Sequence, residues 1–493
     1  MSPARPVLER LTTGSAAFDR ILGGGVPARS INVVAGQPGA GKTLFSLQML
    51  FALAQQGKKC LYFTTLAEPS LKLLQYMQEF EFFDEALLGR SMVFADLGSV
   101  IRRKGAEATL GEIADRVERE APDVVVIDSF KAVRDILGDA ATLRTFVYDL
   151  AVHTASWGAT TLLVGEYTDA EIASNAELAI ADGIIHFSNT RHALTSVHEV
   201  EVLKLRGADY VTGSHFYEIG ATGLTFFPRV RGPDLVSAQS ESTGERPIAS
   251  LERVSTGVTG LDAMLSGGWP RASTTVVQGG TGTGKTLLGL QFLLEGARRG
   301  EAGILFMLEE TPDQVRAFAL SLGWDLRLLE DSGLLTLSYV SPVELSPDKF
   351  LARARLDVER LAARHAVLDS LTSMALGVPS KRRFKELVYA LAKDFHARGI
   401  SLQMNLEVAD LLGTGQLSGH GVSFAADNVV QLKYVEIDGH LQRGISVLKA
   451  RGVPHATDVR RLSVEPGGVQ VGGPFAGLRG VLTGLPVPST VTP

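Results

Sequence analysis

The sequence predicts an α/β protein, a mainly parallel sheet flanked by helices and built twice. Three observations predict it. Short continuous apolar runs, such as Val124-Val125-Val126-Ile127, suit parallel strands buried on both faces. A glycine loop of the form G-x-x-x-x-G-K-T follows one such run and precedes an apolar pattern at helical spacing. The whole arrangement then recurs, with Lys42 and Lys285 of the two loops 243 residues apart. A period this long indicates duplicated domains, because the units of solenoids are far shorter.

In the first half, Ile31-Asn32-Val33-Val34-Ala35 leads into Gly36-Gln37-Pro38-Gly39-Ala40-Gly41-Lys42-Thr43, and Leu44 to Gln55 reads as a helix. In the second half, Thr274 to Gln278 leads into Gly279-Gly280-Thr281-Gly282-Thr283-Gly284-Lys285-Thr286, with Leu287 opening the helix behind. The glycines let successive backbone N–H groups converge on a phosphate, and the following helix adds its positive end. Lys42 and Lys285 are expected to reach the β- and γ-phosphates of ATP, and Thr43 and Thr286 to ligate Mg²⁺.

Further strands are expected at Cys60–Phe63, Thr161–Val164, Gly303–Met307 and Ala366–Leu368. Asp128 and Asp369 each follow an apolar run and precede a serine, 241 residues apart. There an aspartate can hold the metal through water at the sheet's C-terminal edge. Beyond each loop comes an acidic step, Leu66-Ala67-Glu68 in the first half and Leu308-Glu309-Glu310 in the second. Glu309 and Glu310 are candidates to orient and deprotonate an attacking oxygen. Pairing Glu68 with Glu310 leaves Ala67 where Glu309 would be, so the first site is expected to bind ATP and turn it over slowly. Lys204-Leu205-Arg206-Gly207 and Lys449-Ala450-Arg451-Gly452 form a fourth repeated pair. They are candidates to meet the γ-phosphate of ATP bound by a neighbouring subunit.

The boundaries follow from composition. An N-terminal domain is expected over 1–231, a polar linker over 232–247, a C-terminal domain over 248–466 and a tail over 467–493, with a disordered end. Composition is that of an ordinary soluble protein, 45% apolar and 21% charged. A net charge of −6 argues against a general grip on nucleic acid. The single cysteine, Cys60, excludes an intrachain disulfide framework and reads as a small apolar residue opening a strand. Met1–Pro6 has no apolar core of the signal-peptide kind, and no run of about eighteen uncharged apolar residues occurs. A cytoplasmic protein without membrane contact is expected.

Together these motifs resemble the KaiC family, double-domain RecA-like P-loop ATPases, over about Thr12 to Thr483. The marks are the Thr-Gly…Asp…Gly-Gly-Gly entry, both phosphate loops, Glu309-Glu310-Thr311-Pro312, the two Lys-x-Arg-Gly turns and the Asp427–Ile437 segment. The resemblance implies a two-tiered homohexameric ring with ATP between subunits and the Lys-x-Arg turns acting in trans. It also implies ATPase activity, Ser/Thr autokinase activity in the second domain and signalling partners of KaiB type. Ser423 matches the family's serine phosphoacceptor, while Phe424 replaces the adjacent threonine. The tail after Gly484 is shorter than the extension through which clock members engage a regulator, so timekeeping is not carried over. Two other classes stay open: a RecA- or RadA-type DNA-repair ATPase, and a nucleotide-locked assembly scaffold.

Overall fold

A computed structural model describes residues 8–65, 70–137, 140–174, 176–192, 195–229, 252–342, 345–378, 380–408, 422, 424–481 and 486–488. The chain divides into two compact units, Met1–Arg229 and Val230–Pro493. The expected linker over 232–247 lies outside the described residues.

Each unit is built on one nine-stranded sheet. The first contains β1 (Ile31–Gly36), β2 (Cys60–Thr64), β3 (Met92–Asp96), β4 (Val124–Asp128), β5 (Thr160–Glu166), β6 (Gly183–His192), β7 (Thr195–Leu205), β8 (His215–Gly220) and β9 (Gly223–Phe227). Their order across the sheet is β9-β8-β7-β6-β1-β5-β4-β2-β3. The second contains β10 (Thr274–Gly279), β11 (Gly303–Met307), β12 (Leu335–Tyr339), β13 (His365–Asp369), β14 (Ser401–Glu407), β15 (Asn428–Ile437), β16 (His440–Ala450), β17 (Arg460–Glu465) and β18 (Gly468–Pro474). Their order is β18-β17-β16-β15-β10-β14-β13-β11-β12, the same topology strand for strand. Six neighbouring strands run parallel in each sheet and three extend it antiparallel. The expected α/β class is what forms.

The apolar runs are strands because they are covered on both faces. Val33 and Ala35 of β1 face one core, with Phe63, Val125 and Leu163, while Val34 faces the other, with Phe45, Tyr62 and Val126. The helix after each loop, Lys42–Gln55 and Lys285–Arg298, starts at the motif lysine, two residues ahead of the expected start in the first unit. Its burial reaches most of its circumference, including Leu44, Phe45, Leu47, Met49, Leu50 and Phe51. Gln48 explains how this helix accommodates the antiparallel extension: its amide accepts from Leu224 N at 2.7 Å and donates to Leu224 O at 3.2 Å. Gln291 clips Val469 in the same way, at 2.6 and 3.4 Å. The shared Thr-Gly…Asp entry is likewise structural. Asp19 accepts from Thr12 Oγ1 and Thr13 N, and Asp262 from Ser255 Oγ and Thr256 N, at 2.6 and 2.8 Å in both cases.

Two expectations about the C-terminal end are corrected. A domain boundary at 466 would cut the sheet, since β18 (Gly468–Pro474) pairs with β17 and occupies the place of β9. Val487–Pro488, within the end expected to be disordered, pairs antiparallel with Leu478–Arg479. The polar, glycine-rich composition there marks an exposed edge rather than a loss of structure. Cys60 opens β2, and burial pushes its thiol up to about 12. Among the described residues, no helix is long and apolar enough to cross a membrane.

A partly buried ion network sits at the start of β13 in the second sheet. His365, fully buried at the start of β13, donates from Nε2 to Glu301 at 2.7 Å, and Arg271 reaches the same carboxylate at 2.8 Å. Burial pushes the imidazole below its usual value, against the pull of Glu301. Its Nδ1 has no hydrogen-bond partner among the described residues, so a second ring proton would be buried unpaired. A folded-state value below the unfolded one means the unfolded chain takes up the proton first. The stability is therefore present above about pH 6.5 and drains away as pH falls below it. Thermal unfolding should show the wild type losing on the order of 1 kcal/mol more than His365→Gln between about pH 7.5 and 5.5. Equal losses in both proteins would reject the assignment.

Candidate functional site

The parallel strands of each sheet deliver their C-terminal ends to one edge, and both glycine loops and both strand-end aspartates collect there. β1 and β10 run straight into the glycine loops. Gly41 and Gly284 cap the helices with left-handed backbone, φ 82° and 106°, which turns the N–H groups inward toward a common point. Gly39 and Gly282 are also left-handed. Gly36 is confined as well as left-handed: a Cβ there would lie 2.1 Å from the Phe187 carbonyl oxygen of β6. Pro38, Gly39, Thr281 and Gly282 are exposed at the loop tips, whereas Ala40 and Thr283 are buried beneath them. Ala40 is held from below by Tyr217, whose hydroxyl donates to its carbonyl at 2.5 Å. Thr283 donates to Gly280 O at 2.8 Å.

Both lysines fold over their own loops. Lys42 Nζ donates to Gln37 O at 2.7 Å, and Lys285 Nζ to Gly279 O and Gly280 O at 3.0 and 2.9 Å. Burial pushes both below the usual lysine value. Glu166 and Asp128 oppose that for Lys42, and Glu407, Asp369 and Glu309 for Lys285. A polyanionic ligand would replace these carbonyl contacts and favour the charged form.

The threonine that follows each lysine meets the strand-end aspartate. Thr43 Oγ1 donates to Asp128 Oδ2 at 2.6 Å, and Thr286 is hydrogen-bonded to Asp369. Burial pushes Asp369 up, against that hydrogen bond. One hydroxyl and one carboxylate, side by side next to the loop, fit a Mg²⁺ whose remaining positions are filled by phosphate and water oxygens. No group of three or more His, Cys, Asp or Glu side chains that could hold a metal occurs among the described residues.

The acidic step differs between units, and strand register corrects how it was aligned. Thr65 N donates to Asp128 O at 3.0 Å, and Leu308 N to Asp369 O at 2.9 Å, so Thr65 and Leu308 are equivalent. Counting on, Glu309 and Glu310 fall opposite Leu66 and Ala67, Glu68 opposite Thr311, and Pro69 opposite Pro312. Pairing Glu68 with Glu310 needs a gap that neither the strand nor the proline shows. By that count Leu66 and Ala67 answer Glu309 and Glu310 in the sequence; Leu66 to Pro69 lie outside the described residues. In the second unit, Glu309 Oε1 accepts from Ser370 Oγ at 2.7 Å and from Ser373 Oγ. Burial, with Asp369 and Glu309 close by, pushes Glu310 up.

The Lys-x-Arg turns are kept away from their own loops. Leu205 pairs with Gly183, and Gly183 with Asn32, at the opposite end of β1 from the loop. Lys449 pairs with Val429, and Val429 with Val276. Lys204 donates to Ala179 O at 3.1 Å and Lys449 to Ala426 O at 2.6 Å. Arg206 pairs with Asp182 at 3.3 Å and Arg451 with Asp427 at 3.4 Å, both guanidiniums largely exposed. Leu205 and Ala450 end their strands between these cations. Ser423 lies outside the described residues; its chain neighbour Phe424 is half exposed and stacks on Tyr389, 6.1 Å between centroids.

Several site residues escaped the sequence reading. Glu407 accepts from Thr281 at 2.8 Å and approaches Lys285 to 4.0 Å, and Glu166 ends the equivalent strand beside Lys42. Their 241-residue separation, the same as between the aspartates, was a usable signal. Tyr62, donating to Asp128 Oδ2 at 2.6 Å, and Arg443, donating to Gly282 O at 3.2 Å, belong to one unit each and left no repeat to find.

Two loops of this kind, on two sheets of one topology, make the chain a tandem RecA-like P-loop ATPase. The family model for the KaiC ATPase matches residues 11–231 and 254–474. The chain belongs to the KaiC ATPase family. It is 28% identical over 492 residues to the circadian clock protein KaiC3 of Synechocystis sp., covering 97% of this chain and 95% of that protein. It is 27% identical over 489 residues to the circadian clock oscillator protein KaiC of Picosynechococcus sp. and to that of Thermosynechococcus vestitus, covering 97% of this chain and 92% of each.

The confinement of Gly36 gives a direct test of the loop. Gly36→Ala must drive β1 away from the Phe187 carbonyl and is expected to destabilise the first unit by about 1–3 kcal/mol. Calorimetry should show its transition moved down and the second unit's unmoved. An unshifted transition would mean the strand yields at no cost.

Proposed function

We propose that this chain is an ATP-binding ring protein of signalling or clock type whose second unit turns ATP over while the first chiefly holds it. The observation that carries the reading is the Glu309 cluster beside Lys285, Thr286 and Asp369, whose counterpart in the first unit by sequence count is Leu66. The loop N–H groups and Lys285 would bind the phosphates. Thr286 and Asp369 would hold Mg²⁺, as Thr43 and Asp128 would in the first unit; bound there, the ion supplies charge neutralisation at the β- and γ-phosphates. Glu309 would take the proton of the attacking oxygen, with Glu310 beside it.

The attacking oxygen is a water in hydrolysis. The autokinase reading makes it the hydroxyl of Ser423, and the family resemblance supports that reading. Phe424 rules out a second acceptor next to it. Lys204-Leu205-Arg206 and Lys449-Ala450-Arg451 lie about four strand residues, roughly 13 Å, from their own loops. They would complete the ATP site of an adjacent copy, which is what makes a homohexameric ring the proposed assembly. Partner proteins of KaiB type belong to the reading through the family resemblance.

Lys285→Ala is expected to remove most ATP turnover, and Lys42→Ala chiefly to weaken assembly, read by a phosphate-release assay and by size-exclusion chromatography in ATP. The reverse pattern would sink the division of labour. Glu309→Gln should lower turnover by about 10²- to 10⁴-fold. An unchanged rate would favour a nucleotide-locked scaffold. Incubation with Mg-ATP followed by phosphopeptide mass spectrometry should find phosphate on Ser423. ATP hydrolysis without any modification there would remove the autokinase part.

A further inference from the structure

Ser373 belongs to none of the repeated motifs. It lies in the first turn of the helix Leu371–Gly377 and is only 6% exposed. Its hydroxyl donates to Glu309 Oε1, the same atom that accepts Ser370 Oγ at 2.7 Å. Both hydroxyls are themselves fixed. Ser370 caps the helix and accepts from Ser373 N at 3.3 Å, and the two oxygens are 3.4 Å apart. Among the described residues, both hydrogen bonds to Glu309 fall on Oε1. A serine at this helical position could serve the cap alone, but Ser370 already fills that role and Ser373 reaches out of the helix instead.

A glutamate just past a strand end has three side-chain torsions and, unrestrained, samples many rotamers. Two buried donors on one oxygen remove most of that freedom and leave the other oxygen directed by the carboxylate plane. The first unit keeps Ser129 at the position of Ser370 but carries Ala132 at that of Ser373 and, by sequence count, Leu66 at that of Glu309. A hydroxyl retained only for helix capping would have no reason to vanish with the carboxylate.

We propose that Ser373, together with Ser370, is a positioning residue that pins Glu309 Oε1 so that Oε2 is the atom that takes the proton. In the step served, Oε2 accepts the proton of the attacking water or serine hydroxyl while its oxygen bonds to the γ-phosphorus. The bond from that phosphorus to the bridging oxygen breaks, and its electron pair leaves with ADP. The proposal rests on Glu309 being the base.

The test is a double-mutant cycle on the full-length protein with Ser373→Ala, Ser373→Thr, Glu309→Gln and Ser373→Ala/Glu309→Gln, reading second-site turnover as the part that Lys285→Ala removes. Ser373→Ala should lower kcat by about 10- to 100-fold while KM for ATP moves by less than about 3-fold. Ser373→Thr, which keeps the hydroxyl, should restore most of the rate. In the Glu309→Gln background, Ser373→Ala should cost nothing further. A fluorescent ATP analogue bound as tightly by Ser373→Ala as by the parent guards against misfolding passing for the effect. An unchanged kcat in Ser373→Ala overturns the proposal with the base reading intact. So does an equal loss in both backgrounds, because the serine then acts independently of Glu309. An unchanged kcat in Glu309→Gln overturns the base reading itself, and the positioning role with it.

Discussion

The hydrogen bond of 2.6 Å between Thr43 and Asp128 joins the first turn of the helix after β1 to the end of β4, although β5 lies between β1 and β4 in the sheet. It exists because the helix that leaves the glycine loop turns back across the sheet, laying its first turn over the end of the intervening strand. The rest of the site follows from that constraint. The sheet must be parallel there, so that every strand presents its C-terminal end to the same edge. The loop must be glycine-rich, because β1 passes within reach of β6 and then reverses within eight residues of the motif. The helix must be apolar almost all round, because it is buried between sheet and extension. Ligand chemistry at the carboxyl edge of such a sheet is the general outcome of this geometry.

The two units keep that constraint and differ in what surrounds it. In the first, Asp128 Oδ2 takes hydroxyls from both Thr43 and Tyr62. In the second, Leu305 stands at the position of Tyr62, Thr286 keeps its hydrogen bond to Asp369, and Ser370 and Ser373 turn their hydroxyls toward Glu309. Asn405, at the position held by Val164 in the first unit, hydrogen-bonds Asp369. The strand-end carboxylate is thus met by two side chains in each unit, Thr43 and Tyr62 or Thr286 and Asn405, while the second unit adds the Ser373 hydroxyl at its acidic step.

The architecture was largely legible in the sequence because burial on both faces leaves an unbroken apolar run, and a glycine loop demands glycine. Strands from Ile31 and Thr274, the helices behind the loops, and the approach of Thr43 to Asp128 all follow from such local demands. What escaped needs the third dimension. β18 is a half-exposed edge strand and carries no apolar run, so Gly468–Pro474 read as tail. The acidic pair was aligned by matching glutamates. The hydrogen bonds of Thr65 and Leu308 to the aspartate carbonyls set the count, and no residue type records those. Ser373 was invisible for a related reason: it acts across a turn on a residue 64 positions earlier.

The distance between the Lys-x-Arg turns and the loops constrains assembly more firmly than any surface feature does. Each turn is anchored at the amino edge of the parallel strands by a lysine–carbonyl bond and an aspartate–arginine pair, in both units alike. To bring Arg206 to its own loop, β7 would have to slide along β6 by most of its length, breaking a ladder that runs from Gly183 to His192. A rigid sheet therefore presents a phosphate site at one edge and an exposed guanidinium at the other. In the proposed assembly, such edges meet between different copies of the chain. Head-to-tail contact of that kind closes into a ring whenever the rotation per subunit divides a full turn. In the proposed assembly, ATP is then both substrate and adhesive: its hydrolysis in the second tier would loosen contacts that slow turnover keeps in the first.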